Sequence, residues 1–214
     1  MGEGNQYHAA IAQVGEIVEA YDYDRMFPVF GYGGVPHFMG DKKVNHCFPL
    51  TGSLQNCEVQ GIAGILKIYQ DTISKIQLAG PTFFNPILQG FKHVVQKSQG
   101  TPAYPILLLI TDGAIHDMKE TKRTIVDLSS MACSIIIVGV GQADFSAMRE
   151  LDGDGPGGLK DDQGRTVDRD IVQFVPFRET QNLAEEVLAE IPTQFESFMK
   201  KHNIQVNYTA QQKY

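Results

Sequence analysis

The sequence has little of what several functional classes require. Its 214 residues include only three cysteines, Cys47, Cys57 and Cys133, and none has the spacing of a zinc-ligand pair or a disulfide framework. Lys and Arg stand next to one another only in pairs and the formal net charge is −7, which argues against nucleic-acid binding because phosphate neutralisation requires clustered positive charge. No apolar run approaches the roughly 20 residues that a membrane-spanning helix needs.

Signals for secretion, lipidation and catalysis are missing as well. The first residues lack the apolar core of a signal peptide, and Gln6 stands where a myristoylation signal needs Ser or Thr. There is no Gly-x-Ser-x-Gly nucleophile elbow, and the six histidines lack the spacing of metal ligands or of a catalytic base. We therefore expect a cytoplasmic protein with reduced thiols and no enzymatic activity.

What the chain does contain is an unusual aliphatic run, Ile106–Thr111, followed directly by Asp112 and Gly113. Five consecutive large aliphatic residues leave no exposed alternating face, which predicts a strand buried on both sides. Open α/β sheets bind their ligands at the carboxyl ends of such strands. Asp112 is therefore placed for binding.

Strand and helix patterns alternate along the rest of the chain, which favours a single α/β domain with a mostly parallel central sheet and helices on both faces. Asn85 is the predicted N-cap of a helix whose first residue is Pro86. Pro192 should kink or split the last helix. The predicted strands are residues 26–30, 47–48, 106–111, 135–138 and 171–175, and the predicted helices are residues 9–21, 62–76, 86–99, 118–129, 145–151 and 182–201.

Thr82 and Asp112 are the candidate ligand pair. Each follows an apolar element, so both side chains can meet at one sheet edge, and Mg²⁺ prefers carboxylate and hydroxyl oxygens. The structural alternative makes Asp112 a turn or helix-cap residue and Thr82 part of a hydroxyl-capped turn, and spacing alone favours this alternative. His116, four residues beyond Asp112, is interpreted as an exposed loop histidine.

The glycine-rich segment that begins at Asp152 resembles the first residues of a calcium-binding loop but does not fit the EF-hand sequence pattern. Pro156 stands at the fifth position, and Gln163 stands where the bidentate Glu should be. We interpret residues 152–162 as a flexible acidic loop. The segment 139–144 has two glycines of a dinucleotide fingerprint and lacks the third.

Several long runs resemble the von Willebrand factor A domain of copines. They are residues 80–84, 110–113, 134–141, 145–154, 169–177 and 187–192, and together the resemblance covers residues 9 to 204. It implies a Rossmann-like sheet with a metal-ion-dependent adhesion site at its carboxyl edge. That site combines an Asp-x-Ser/Thr-x-Ser motif after the first strand, a Thr from a second loop and an Asp from a third.

Thr82 and Asp112 match the second and third contributions, whereas only residues 1–7 precede the first helix, so the first strand and its motif are missing. The expected domain is thus an N-terminally truncated one over residues 1–204, followed by a polar tail, residues 205–214. Strands 27–30 and 106–111 should either pair directly or leave a gap with unpaired backbone groups. Thr82 and Asp112 alone should hold Mg²⁺ only weakly.

The resemblance also sets the functional expectation. Copines carry two C2 domains that bind phospholipid when calcium rises, and neither precedes this domain, so a membrane would be bound only through domains absent here. The leading hypothesis is a non-enzymatic module that docks protein partners at the sheet edge around Thr82, Asp112 and the loop of residues 31–34. The alternative is calcium-dependent phospholipid binding, with peripheral association at the plasma membrane.

Overall fold

The computed structural model describes residues 5–180 and 182–204, so the polar tail expected over residues 205–214 lies outside the described part. None of the described helices combines the length and apolar character needed to cross a bilayer. The helices are α1 (Gln6–Tyr21), α2 (Gly61–Ile73), α3 (Asn85–Ser98), α4 (Met118–Leu128), α5 (Ser146–Asp152), α6 (Leu183–Leu188) and α7 (Ile191–Lys201). The strands are β1 (Met26–Pro28), β2 (Phe30–Gly31), β3 (Gly34–Pro36), β4 (Phe48–Pro49), β5 (Glu58–Gln60), β6 (Ile76–Leu78), β7 (Ile106–Thr111), β8 (Ser134–Gly139) and β9 (Val172–Pro176).

The central element is a parallel sheet with the strand order β7-β8-β9. Ile106 pairs with Ser134 at one end of β7 and Thr111 pairs with Gly139 at the other. Every residue of β8 is buried, as expected for a parallel strand flanked by strands on both edges and by helices on both faces. The expectation of an α/β fold with aliphatic parallel strands is confirmed.

Alternate side chains of these strands enter two separate cores. Leu109, Ile135 and Ile137 pack with the buried faces of α3 and α4 on one side of the sheet. Ile136 and Val138 pack with residues of α1 and α6 on the other side. Because successive side chains of a strand point to opposite faces, one continuous aliphatic strand supplies both cores.

The remaining strands form three antiparallel pairs, β1 with β5, β2 with β4 and β3 with β6. Three of them, β3, β5 and β6, were not predicted. The spacing of apolar residues predicts Ile76 in the second helix, but Ile76 lies in β6, because α2 ends at Ile73. The short strand expected at residues 47–48 is confirmed one residue later, as β4.

The outer edge of β7 pairs with no strand in the described part of the chain, so of the two predicted arrangements the structure has the gap. The carbonyls of Pro105 and Thr111 accept hydrogen bonds from residues of the β8 segment. By alternation, the backbone groups of Ile106, Leu108 and Ile110 point to the outer edge. Tyr32 satisfies one of these groups, since its hydroxyl donates to the Ile110 carbonyl at 2.7 Å.

The C-terminal helical segment is split into α6 and α7, as predicted from Pro192. Pro192 lies in the first turn of α7, where its missing N–H has no intrahelical partner to lose. Asn182 caps α6 by accepting the backbone N–H of Glu185. The break allows α6 to pack in the core that contains Ile136 and Val138. It also allows α7 to approach β8 through Gln194, which accepts a hydrogen bond from the Ser134 hydroxyl at 2.6 Å.

Replacing Ile136 by Ala should lower the free energy of unfolding by about 2–5 kcal/mol, because Ile136 is fully buried in the middle of β8 and truncation leaves a cavity. The measurement is urea denaturation followed by circular dichroism. Ile106→Ala is the matched control, since Ile106 is 36% exposed at the start of β7, and it should cost about 1 kcal/mol or less. Equal losses in the two variants would contradict the assignment of β8 as the central strand.

Candidate functional site

The candidate site lies at the carboxyl edge of the sheet, where the segments after β6 and β7 meet. Asp112 directly follows β7 and is exposed. Thr82 lies between β6 and α3 and is half-buried. Hydrogen bonds join the Thr82 segment to residues that follow Asp112 in the chain.

His116 joins the two segments through its imidazole ring and its backbone N–H. The backbone N–H of Thr82 donates to Nδ1 of His116 at 3.0 Å. In return the backbone N–H of His116 donates to the carbonyl of Thr82 at 2.9 Å. The imidazole therefore carries its proton on Nε2, because Nδ1 acts as an acceptor. His116 is exposed, as predicted, but it also fastens the Thr82 segment.

Asp117 reinforces the same junction and corrects the prediction for Asn85. The two carboxylate oxygens of Asp117 accept the backbone N–H groups of Phe84 at 2.9 Å and of Asn85 at 2.8 Å. The first turn of α3 is therefore capped by a carboxylate from a distant loop, which also suits the positive end of the helix dipole. Asn85 is the first residue of α3 instead of its N-cap. Its side chain accepts a hydrogen bond from the Thr124 hydroxyl of α4 at 2.7 Å.

The Asp112 carboxylate is only lightly engaged. Its Oδ1 accepts the backbone N–H of Ala114 at 3.3 Å, which is the local turn expected of an Asp at this position. Tyr7, in the first turn of α1, lies beside it: burial and then the negative charge of Asp112 raise the pKa of Tyr7 to about 12. Tyr7 therefore stays protonated at neutral pH.

The glycine segment of residues 31–34 forms the neighbouring wall of the site. Gly33 has φ +68°, a conformation that L side chains rarely adopt, and a Cβ added there would lie 4.0 Å from Oγ1 of Thr82. Tyr32 turns inward from this segment to the Ile110 carbonyl, and burial raises its pKa well above the ordinary value. Gln6 in the first turn of α1 contacts the segment after β8, since its Oε1 accepts the N–H of Gly141 at 2.6 Å.

The oxygen donors present do not make a complete Mg²⁺ site. Thr82 offers one hydroxyl and Asp112 one carboxylate, whereas both oxygens of Asp117 and Nδ1 of His116 are already occupied by backbone N–H groups. Magnesium requires near-octahedral oxygen coordination, usually with one or two carboxylates. In the described residues Asp112 belongs to no group of three or more acidic, His or Cys side chains close enough to hold an ion.

Such a group does occur elsewhere and was not predicted. Carboxylate oxygens of Asp154, Asp170 and Glu190 lie within 4.8 Å of one another. The amide of Gln194 donates to Asp170 at 3.3 Å and to Glu190 at 3.2 Å. Burial and the neighbouring Asp170 charge raise the pKa of Glu190 to about 7. Burial also raises the pKa of the Asp170 carboxyl above its ordinary value.

The sequence offers Thr82 and Asp112 as candidates but does not reveal the residues that fasten the Thr82 segment. Asp117 precedes α4, so its position in the sequence resembles that of an ordinary helix cap, and its actual partners lie 32 and 33 residues earlier. Tyr7 and Tyr32 carry no motif at all. No local signal distinguishes such long-range hydrogen bonds from isolated polar residues.

Asp117→Ala should lower the free energy of unfolding by about 2 kcal/mol, because it leaves the N–H groups of Phe84 and Asn85 without an acceptor. Asp112→Ala should change it by about 0.5 kcal/mol or less, since Asp112 is exposed. Thermal and urea denaturation of both variants measures the difference. The capping role assigned to Asp117 fails if its variant is as stable as the wild type.

Comparison with known proteins agrees with this architecture. The family model described as Copine matches residues 1–207. The chain is 44% identical to Protein BONZAI 2 of Arabidopsis thaliana and 46% identical to Copine-A of Dictyostelium discoideum, each over 209 residues and 95% of this chain. These matches cover 35% and 34% of the relatives, so the chain spans about a third of their length. The chain belongs to the copine family.

Proposed function

We propose that this chain is a non-enzymatic docking module that captures a protein partner at the carboxyl edge of its sheet. The docking surface comprises Thr82, Asp112 and the segment of residues 31–34. The observation that supports it most strongly is the junction described above, in which His116 and Asp117 fasten the Thr82 segment to the Asp112 segment. A preorganised rim of this kind, in which Asp112 is exposed and Thr82 half-buried, binds with little loss of conformational entropy.

The chemistry of the rim suits recognition better than catalysis. Asp112 is exposed and its Oδ1 accepts only a weak turn hydrogen bond, so its carboxylate can take a donor from a partner. Its nearest titratable neighbour on α1, Tyr7, is held protonated and is a poor base. Nucleophilic catalysis would need a base hydrogen-bonded to an activated hydroxyl or thiol, which this pair of segments does not supply.

Direct side-chain contacts replace a bridging metal in this proposal. Thr82 and Asp112 provide two of the oxygen ligands of a metal-ion-dependent adhesion site, and Mg²⁺ bound to them alone would keep most of its waters. Partner binding should therefore be insensitive to chelators. Retained capture in excess EDTA supports this part of the proposal, and complete loss contradicts it.

The docking surface predicts how substitutions change partner capture. Immobilised wild type, Asp112→Ala and Thr82→Ala are incubated with the same cell extract, and bound proteins are quantified by mass spectrometry. The captured amount of each protein that the wild type binds should fall about fivefold or more with Asp112→Ala, which corresponds to a loss of about 1 kcal/mol in binding free energy.

Glu196→Ala is the control for this experiment, because Glu196 is an exposed residue of α7 paired only with Lys200. It should capture the same proteins as the wild type. Unchanged capture by both rim variants would remove this surface from consideration, and equal losses in the control would indicate a nonspecific charge effect.

The alternative function is calcium-dependent phospholipid binding, which the acidic group of Asp154, Asp170 and Glu190 favours as a possible cation-binding feature. Sedimentation with liposomes containing phosphatidylserine, in calcium and in EDTA, separates the two functions. We expect the chain to remain in the supernatant in both conditions. Calcium-dependent pelleting that Asp170→Asn abolishes would instead support the lipid function.

A further inference from the structure

The connection between α1 and β1 carries an exposed aromatic residue on an ordered turn. Oδ1 of Asp22 accepts the backbone N–H groups of Asp24 and Arg25, each at 3.2 Å. Oδ1 of Asp24 accepts the N–H of Met26 at 2.9 Å. These bonds fix the backbone on both sides of Tyr23, whose side chain is fully exposed and packs against nothing.

Most other tyrosines in the described part of the chain have an occupied or shielded hydroxyl. Tyr32 donates to the Ile110 carbonyl, Tyr104 donates to the Cys133 carbonyl, and Tyr69 is paired with Asn5. Tyr7 lies half-buried beside Asp112. Tyr21 is 79% exposed but is the last residue of α1, so its backbone is helical. Among the tyrosines that the structure describes, Tyr23 alone combines a fully exposed side chain with a position outside a helix.

The charges around Tyr23 have a defined pattern. Asp22 and Asp24 flank it directly, and Asp22 has an extended backbone with φ −94° and ψ 121°. Arg25 follows with a left-handed φ of +55°, and its guanidinium forms no ion pair with any described residue. The carboxylates on both sides of Tyr23 complement a basic substrate groove, and Arg25, two residues after Tyr23, can pair with an added phosphate.

We propose that Tyr23 is a phosphorylation site for a tyrosine kinase. The phenol oxygen attacks the γ-phosphorus of ATP, the bond from that phosphorus to the β,γ-bridging oxygen breaks, and ADP leaves. The phenol proton passes to the catalytic carboxylate of the kinase. The product carries a dianionic phosphate beside Arg25 and keeps the fold, because Tyr23 contributes no packing.

This site is separate from the docking surface. The first turn of α1 lies at the carboxyl edge of the sheet, where Gln6 bonds Gly141. The 16 residues of α1 extend about 24 Å, and Tyr23 follows the end of α1 that is distant from Gln6. A phosphate at Tyr23 would therefore create a second recognition element without obstructing Asp112.

The test uses the whole chain, ATP and a broad-specificity tyrosine kinase, with incorporation followed by intact mass and peptide mapping. The wild type should take up its first phosphate at Tyr23. Tyr23→Phe should lose most of the initial rate, whereas Tyr21→Phe should retain it. The double variant Asp22→Asn, Asp24→Asn keeps the side-chain oxygens that cap the turn but removes both charges, and it should be phosphorylated more slowly.

Two outcomes would overturn the proposal. One is a first phosphate that maps to any other tyrosine, including Tyr208 or Tyr214. The other is an initial rate that Tyr23→Phe leaves unchanged. Thermal denaturation of each variant, expected to match the wild type because the side chain is fully exposed, separates a lost acceptor from a misfolded chain.

Discussion

The carboxylate of Asp117 provides the constraint on which the candidate site depends. It binds the N–H groups of Phe84 and Asn85 at 2.9 and 2.8 Å, and thereby ties the start of α3 to the loop that follows β7. His116 continues the same attachment at Thr82. Without these bonds the segment before α3 would be an ordinary surface loop, and Thr82 would have no defined relation to Asp112. The rim is built by hydrogen bonds between loops, with the parallel sheet beneath as a rigid support.

The sheet itself was predictable because its physical signal is local. Residues 106–110 and 135–138 are uninterrupted aliphatic runs, which indicate buried parallel strands. β8 is buried throughout, whereas β7 is only partly buried, contrary to the prediction, because no strand pairs with its outer edge in the described part of the chain. The strands β3, β5 and β6 gave no such signal, since each has only three residues and is stabilised by its partner. The role of Asp117 was also hidden, because its carboxylate serves a helix that begins 32 residues earlier. The short strands and the helix cap depend on contacts between residues that are distant in the sequence, so local sequence patterns do not predict them.

Membership of the copine family and the geometry of the edge together limit what this domain can do by itself. The match extends over nearly the whole chain but over only about a third of its relatives, so the activities of complete copines do not transfer to these residues directly. Within the described residues the outer edge of β7 is unpaired, and hydrogen bonds of His116 and Asp117 join the segment after β7 to the Thr82 segment. The proposed docking surface lies at this edge and does not depend on a resident metal.

Amide hydrogen exchange measured by NMR shows whether the hydrogen bonds of His116 and Asp117 join the two loops in solution. If the loop junction exists in solution, the N–H groups of Thr82, Phe84 and Asn85 should exchange slowly in the wild type, and Asp117→Ala should accelerate all three together while the amides of β8 stay protected. Rapid exchange at these three positions in the wild type, beside a protected β8, would show that the two segments are not joined and would contradict the account.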